Sequence, residues 1–253
     1  TAWGWAWAGA LVGVLPAVMA FAPAHWLAGG VARATQGQVQ LLQPRGTVWT
    51  GSAQLVLTGG QASKDSAALP GRVDWQLRPT WSGLRARLQA GCCTAEPLQA
   101  QVHLRWVGPQ ITLADGQSQW PAALLAGLGT PWNTLQPQGQ LALQTRALAV
   151  QWAAGRMVLS GQAQLDARAM SSRLSTLRPM GSYRLVLQGG EVPTLALSTL
   201  DGALQLSGSG QWVGNRLRFA GEASATPERE AALSNLLNII GRRNGARSII
   251  TVG

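Results

Sequence analysis

The C-terminal stretch, residues 201–253, reads DGALQLSGSGQWVGNRLRFAGEASATPEREAALSNLLNIIGRRNGARSIITVG. It opens on Asp201-Gly202, a hairpin dipeptide, because both central positions of a type I′ turn require positive φ. Apolar and polar residues then alternate through 204–207 and again through 216–219, with Gly214-Asn215 as a turn between the two runs. This period of two predicts a pair of antiparallel strands, each with one buried face.

A helix is predicted next, near 227–240. Thr226-Pro227-Glu228 is typical of a helix start, since it offers a hydroxyl N-cap, a proline in the first turn and an acid at the positive end of the dipole. Gly241 can end the helix, and Asn244-Gly245 can turn the chain into a last strand over 248–252. One apolar stripe repeats at helical spacing and is formed by Leu233, Leu236, Leu237 and Ile240. The helix therefore needs an apolar surface to lie on.

The preceding chain supplies that surface, because short runs of alternating polarity recur along it. The clearest of these runs lie at 73–78, 84–90, 98–106 and 141–165. Each run is typical of a strand in an antiparallel sheet with one buried face. A short helix started by proline is predicted near 121–127. The stretch 166–180 lacks the alternation and is predicted to be a loop or a short helix.

The fold class is therefore mainly β. We expect a curved antiparallel sheet, arranged as a meander or half-pipe or as a sandwich-like fold, with the two short helices near 121–127 and 227–240. A chain of 253 residues can form one large β domain or two small ones. Since no linker rich in proline and serine interrupts it, we expect one β domain over 33–253, behind an N-terminal segment at 1–32.

The N-terminal segment carries no charged residue before Arg33. Its apolar run is long enough to cross a bilayer, which takes about 20 helical residues. Tryptophans stand at both ends of the run, as in the aromatic belts of membrane proteins, namely Trp3, Trp5, Trp7 and Trp26. We therefore predict a single transmembrane helix over 6–22, with these tryptophans at the membrane interfaces. The alternatives are a cleaved signal peptide ending at Ala20-Phe21-Ala22 and a buried soluble helix.

The net charge is +10, and Lys64 is the only basic residue that is not arginine. A basic surface suits anionic lipids, nucleic acids or acidic proteins. No stacking motif for nucleic acid is present, so we expect no nucleic-acid partner. Arg242, Arg243 and Arg247 are candidates for a basic partner-binding patch. The alternative for these three is capping of the helix end and solvation.

Acid–base catalysis needs carboxylates or histidines in placed groups, and the sequence does not point to one. Asp74, Asp166 and Asp201 fall on polar strand positions or in turns, where we expect solvated side chains. His25 lies at the predicted membrane edge, and His103 lies on the polar face of a strand. Clusters with metal-ligand spacing are missing as well. We therefore predict no enzyme, no cofactor and no metal.

Cys92 and Cys93 are adjacent and are the only cysteines of the chain. Adjacent cysteines cannot form a long-range disulfide, and their spacing is not that of a metal site. Two alternatives remain for them: a vicinal disulfide formed in an oxidising compartment, and two thiols in a turn before Pro97.

Taken together, these residues resemble the type II secretion system protein N family. The resemblance is densest in a set of C-terminal segments, at 171–175, 179–183, 199–202, 206–210, 235–243 and 245–253, and it extends to 45–53 and the N-terminal segment. It implies an inner-membrane protein with one transmembrane helix and a periplasmic β domain. It also implies an accessory role in the machine that exports folded proteins, beside other inner-membrane platform proteins and the outer-membrane secretin.

Two classes of function follow. The first is a scaffold or assembly module whose edge strands and basic faces bind platform proteins. The second is an envelope domain that binds or transfers lipid or another hydrophobic ligand, since long one-sided meanders also resemble the half-pipe domains of lipid-transport proteins. The discriminating feature is whether the apolar face of the sheet is covered by protein or left open.

Overall fold

Strands dominate the part of the chain that the structure describes. The computed structural model covers residues 3, 17, 18, 20–105, 108–153, 156–214 and 216–253. All strands in these ranges join one open sheet, and the paired strands run antiparallel. The predicted mainly β fold is thereby confirmed, whereas a second sheet, as in a sandwich, is not seen among these residues.

The strands, in chain order, are β1 (Val39–Gly46), β2 (Thr50–Thr58), β3 (Ser66–Ala68), β4 (Val73–Thr80), β5 (Gly83–Ala90), β6 (Leu98–Arg105), β7 (Gly108–Leu113), β8 (Gly116–Pro121), β9 (Gln138–Ala153), β10 (Arg156–Ser171), β11 (Gly181–Gln188), β12 (Thr194–Gly202), β13 (Leu204–Val213), β14 (Arg216–Ala225), β15 (Arg242–Asn244) and β16 (Arg247–Val252). Their order in the sheet is β1-β2-β4-β5-β6-β7-β9-β10-β11-β12-β13-β14-β16-β15, with β3 beside β2 and β8 beside β9. The sheet is therefore largely a meander, in which most strands pair with their neighbours in sequence.

The described helices are few and short. The α-helices are α1 (Ala24–Ala34), α2 (Trp132–Leu135) and α3 (Glu230–Ile240), and 3-10 turns span Ala122–Leu128 and Pro227–Arg229. The first 3-10 turn and α3 coincide closely with the two helices that the sequence predicts near 121–127 and 227–240. The span predicted at 6–22 falls mostly on residues outside the described ranges. Within those ranges, no helix combines the length and the apolar character that crossing a membrane requires.

The main core lies between α3 and one face of the sheet. Leu233, Leu236 and Leu237 of α3 are almost fully buried. They pack against inward-facing residues of five strands, Leu141, Ala167, Tyr183, Leu204 and Ala223. Alternate residues of a strand point to the same side of the sheet. The apolar stripe of α3 therefore packs against the apolar side chains that strands β9 to β14 place on one face.

A hydrogen bond fixes the end of α3 to the last strand. The hydroxyl of Ser248, on β16, donates to the backbone oxygen of Leu237 over 2.7 Å, and Ser248 is fully buried. One carbonyl of the last helical turn, which has no partner inside the helix, is satisfied in this way.

Two smaller cores lie toward the N-terminal edge of the sheet. Leu124 of the first 3-10 turn packs against Leu69 and Val73. Ala24 of α1 packs against Ala53 and Trp75. The start of α1 is therefore attached to the sheet at strands β2 and β4.

The prediction of a loop or short helix over 166–180 is wrong in its first part. β10 continues to Ser171 and pairs with β9 and β11 on its two sides. The register shifts after Arg168, where Ala169 has a positive φ of 50° and both residues are exposed. This bulge interrupts the period of two and hides the strand from a sequence pattern. Residues 172–180 form the loop.

The predicted capping of the C-terminal helix is also corrected. The Thr226 side chain makes no capping hydrogen bond, and the helix begins with a 3-10 turn before it becomes α-helical at Glu230. Gly241 has a φ of −168°, which is extended backbone rather than a left-handed C-cap. It passes directly into β15, and its Cα lies too close to Ile249 to leave room for a larger residue.

Candidate functional site

The sheet has two unlike faces in its C-terminal half. One face packs against α3, and we call the opposite side the polar face. The alternation of β10, β11 and β14 sends Arg168, Arg184 and Arg218 to the polar face, since Ala167, Tyr183 and Phe219 point the other way. The polar face is therefore where the positive charge of this region collects.

An ion pair with a buried carboxylate and a half-buried guanidinium lies on the polar face. Arg184 donates from Nε to Oδ1 of Asp166 over 2.7 Å and from Nη2 to Oδ2 over 2.8 Å. Gln164 donates to Oδ1 over 3.1 Å, and Nη2 of Arg168 lies 3.6 Å from Oδ2. The Asp166 side chain is only 4% exposed, so its prediction as a solvated surface residue is wrong.

The charges of this cluster do not cancel. The hydrogen bonds from Arg184 lower the pKa of Asp166, so the carboxylate is ionised at neutral pH. One carboxylate therefore faces two guanidinium groups, and the closer one, Arg184, takes both of its oxygens. Arg168 is left at a longer distance with 57% of its side chain exposed, and the cluster keeps a net positive charge.

A cavity of about 420 Å³ opens beside Arg168 on the polar face. Its floor is formed by β8 and β9, where Gln117 pairs with Gln144. Its wall is the turn that follows β5, at 91–95. The residues that line it are polar or small except for Leu143, and none of them is acidic: Gly91, Cys92, Cys93, Thr94, Ala95, Gln117, Ser118, Gln119, Ala142, Leu143, Gln144 and Arg168.

Cys92 and Cys93 lie in that wall with their sulfur atoms bonded to each other. Thr94 Oγ1 accepts a hydrogen bond from the Ala90 amide over 2.9 Å and lies 3.1 Å from the Ala90 oxygen. The backbone N–H of Gln119 donates to the backbone oxygen of Cys93 over 2.7 Å. The turn is therefore tied both to the end of β5 and to β8.

The three candidate patch arginines do not form one cluster. Arg242 and Arg247 lie on the same face of the β15–β16 hairpin, whereas Arg243 points to the side of α3. There Arg243 Nη2 pairs with Glu230 Oε1 at 2.8 Å. Arg247 Nε pairs with Glu222 Oε1 at 3.1 Å. Two of the three charges are thus matched by acids within the chain.

The described aromatic residues near the N-terminus are strongly exposed. Trp3 is 77% and Trp26 is 54% exposed, and Phe21, which is not among the predicted interfacial residues, is 76% exposed. Trp5 and Trp7 lie outside the described residues. His25 contacts the Trp26 ring edge-on, with 6.3 Å between the ring centroids.

The apolar face of the sheet is covered only in part. Beyond α3, large residues of the same face are half-buried, for example Leu195 of β12 and Leu217 and Phe219 of β14. Trp152, toward the far end of β9, is 41% exposed. The covered part is a packed core, and the rest of this face leaves apolar surface accessible.

His103 has partners that sequence spacing did not indicate. Its Nδ1 lies 3.1 Å from Ser82 Oγ, and its Nε2 lies 3.2 Å from Gln101 Oε1. Ser82 sits in the exposed hairpin between β4 and β5, next to β6. These contacts tie neighbouring strands together at the exposed end of the sheet.

Across the described ranges, no group of three or more histidine, cysteine or acidic side chains is placed to hold a metal ion.

The ion pair of Asp166 and Arg184 was not predicted from the sequence. Asp166 stands at a polar position of an alternating run, and Arg184 stands at a polar position of the next strand. The only signal was this combination of opposite charges on adjacent strands. Their meeting depends on the register between β10 and β11, which places Asp166 opposite Arg184.

Comparison with known proteins completes this picture. No curated protein and no solved structure gives a significant match to the chain. Residues 37–250 match the sequence model of the family described as type II secretion system (T2SS), protein N. The match begins before β1 and ends within β16, so it covers the sheet and α3 as well as far more than half of the chain. The chain therefore belongs to the type II secretion system protein N family, a family of secretion-machinery components of the cell envelope.

Proposed function

We propose that this chain is a non-enzymatic accessory component of the type II secretion machine. It is held at the inner membrane by one transmembrane helix, with residues 33–253 in the periplasm. There it acts as a scaffold that binds other inner-membrane platform proteins, with the secretin as a further partner. The observation that carries this proposal is the family match along the whole sheet.

The two edges of the sheet differ in how readily they accept a partner strand. β1 contains Pro44, and its register with β2 shifts at that point. Both features discourage strand pairing. At the other edge, β15 pairs with β16 only through 247–249, whereas Ile250 and Thr251 pair with β14 alone. A partner strand would therefore pair with the outer edge of β16 at Ile250 and Thr251, next to the end of β15.

Positive charge stands next to this edge. A groove of about 790 Å³ is lined by Arg216, Arg218 and Gln211 and reaches Thr251 of β16. With a net charge of +10, such a surface steers acidic partners and raises the rate of encounter more than it fixes affinity. We propose that the C-terminal edge and this groove together receive a platform protein.

The N-terminal elements support a position at the membrane surface. Phe21 and Trp26 are exposed aromatic residues, and Arg33 lies in the last turn of α1. Aromatic and basic side chains of this kind favour the interface of an anionic bilayer. Because Ala24 is packed into the sheet, α1 would hold β2 and β4 close to that interface.

The scaffold function is tested by deleting the gene in a bacterium that carries it. We expect less export of folded periplasmic substrates or a lower amount of a neighbouring platform protein, with recovery when the wild-type gene is restored. Unchanged export together with unchanged amounts of the platform proteins would contradict the proposal.

A second candidate function is supported by the accessible part of the apolar face. In this alternative, the half-buried residues beyond α3, such as Leu195, Leu217 and Phe219, hold a lipid acyl chain. Mass spectrometry of the purified protein separates the two candidates. A stoichiometric lipid that survives removal of detergent favours the carrier, whereas its absence, with a platform protein captured instead, favours the scaffold.

A further inference from the structure

We propose that the cavity beside Arg168 binds an acidic side chain of an extended peptide segment in a partner protein. This inference rests on the proposed scaffold function for the source of the peptide. Four features of the cavity support this site: its shape, its charge, its hydrogen-bonding groups and its wall.

The shape of the cavity follows from the cross-strand register. Gln119 of β8, Ala142 of β9 and Asp166 of β10 stand in one row across the polar face. Ala142 carries only a methyl group between two longer side chains, so the surface is depressed above it. The cavity of about 420 Å³ lies at this depression and extends to Gln144 in the next row.

The charge of the cavity favours an anion. Its lining includes Arg168 and no acidic residue. Asp166 stands nearby but is occupied by two short hydrogen bonds from Arg184. The Arg168 guanidinium pairs with that carboxylate only through Nη2, at 3.6 Å, and is 57% exposed, so it keeps donors for a second carboxylate. Arginine is suited to this, since its planar fork donates two parallel hydrogen bonds.

The hydrogen-bonding groups favour a peptide over a small anion. Gln117 of β8 and Gln144 of β9 pair across the two strands and line the cavity side by side. Each amide side chain offers both a donor and an acceptor. A bare anion needs donors only, whereas a peptide backbone offers N–H and C=O groups that match both. This pair of glutamines therefore fits the backbone beside an acidic residue.

The wall gives the cavity a fixed border. The turn at 91–95 contains the bonded pair Cys92 and Cys93. Its hydrogen bonds to Ala90 and Gln119 tie it to β5 and β8. A wall held at both ends limits the reorganisation that binding requires, which favours affinity.

The test uses the full-length protein in a mild detergent. The probe is a short fluorescein-labelled peptide in which glutamate and serine alternate, and binding is followed by fluorescence anisotropy. A peptide with glutamine in place of glutamate is measured in parallel. We expect saturable binding of the glutamate peptide and at least about tenfold weaker binding of the glutamine peptide, because charge-assisted hydrogen bonds are lost.

Two variants and one matched control locate the site. Arg168→Gln should weaken binding about tenfold, and Ala142→Leu should weaken it by filling the depression. Arg85→Gln removes the same charge from an exposed side chain of β5, outside the cavity and outside the C-terminal groove, and should change Kd by less than about twofold, as for an exposed charge away from the contact. Thermal melting of each variant checks that it is folded, and if one variant fails to fold, the other decides.

Several outcomes would overturn the site. These are no binding to the wild type, equal losses in Arg168→Gln and Arg85→Gln, and displacement by inorganic phosphate beyond what sodium chloride of equal ionic strength produces. The last outcome would indicate a site for a phosphate group, and anionic vesicles would then show whether a lipid supplies it. Because the probe is synthetic, any of these outcomes leaves the scaffold function standing. Unchanged export in the deletion strain would instead contradict the scaffold and leave the peptide result valid.

Discussion

Arg184 and Asp166 face each other across β11 and β10 and share two hydrogen bonds of 2.7 and 2.8 Å. The carboxylate is almost fully buried, so its charge is compensated mainly by this one guanidinium group. We expect Arg184→Gln to lower the free energy of unfolding, because the buried Asp166 carboxylate is left poorly paired. Urea denaturation measures this difference. Arg218→Gln, on the same face, should change it by less than about 0.5 kcal/mol.

The same pair predicts a dependence on pH. Hydrogen bonding by Arg184 lowers the pKa of Asp166 below its ordinary value. A lowered pKa in the folded state stabilises the fold above the unfolded pKa of about 3.9, and this contribution is lost as pH falls through the folded pKa. The stability difference between wild type and Arg184→Gln should therefore be full at pH 6 to 7 and shrink below about pH 4. A difference that grows in acid would contradict the role of the ion pair.

The contact of α3 with the sheet gives a second prediction. Leu237 is fully buried, whereas Ile239, two residues later in the same helix, is 47% exposed. Leu237→Ala should lower the free energy of unfolding by about 2–5 kcal/mol, and Ile239→Ala by less than about 1 kcal/mol. Equal effects of the two substitutions would mean that α3 presents its leucine stripe to a partner instead of to the sheet.

The cysteine pair gives a third prediction. With the two sulfurs bonded, neither cysteine should react with iodoacetamide in denatured, non-reduced protein. After reduction with dithiothreitol, both should react. Mass spectrometry of the peptide that contains Cys92 and Cys93 reports the two added groups. Full alkylation before reduction, in protein purified from cell membranes without reductant, would contradict the disulfide and indicate two free thiols.

Orientation in the membrane gives a fourth prediction. If the N-terminal helix spans the inner membrane and the sheet is periplasmic, alkaline phosphatase fused after Gly37 should be active, because it needs an oxidising compartment to form its disulfides. The matched control is a fusion at the same position of a reporter that works only in the cytoplasm. Activity of that control fusion alone would overturn the proposed orientation.

Much of the sheet could be predicted from the sequence because burial on one face imposes a period of two. The runs at 73–78 and 84–90 became β4 and β5, and the helix near 227–240 became α3 with its leucines inward. The physical cause is local: each strand or helix must expose one side and bury the other. Such patterns survive in a single sequence without knowledge of the rest of the fold.

The features that the sequence did not predict depend on register and bulges. β10 continues past Asp166 because a bulge at Ala169 absorbs the break in alternation. The cavity beside Arg168 exists because Ala142 stands between Gln119 and Asp166, a row formed by three strands. A one-residue shift in either pairing would move these side chains to the other face. Neither relation can be read from any one strand.

Charge-reversal variants distinguish binding of a partner at the proposed groove from general electrostatic attraction to a basic protein. Arg216 and Arg218 line the groove at the C-terminal edge, and Arg85 and Arg87 are exposed on β5, far along the sheet order. The double variant Arg216→Glu with Arg218→Glu and the double variant Arg85→Glu with Arg87→Glu change the net charge equally. If the groove receives a platform protein, the first pair should weaken the association and the second should not.

The most direct test of the scaffold is to capture the tagged, full-length protein from cells that express it at its natural level and to quantify the co-purified proteins by mass spectrometry. We predict that inner-membrane platform proteins of the type II secretion machine are enriched with the wild type and the Arg85→Glu/Arg87→Glu variant, and depleted with Arg216→Glu/Arg218→Glu. Capture of stoichiometric lipid with no platform protein above the level of an untagged strain would contradict the account.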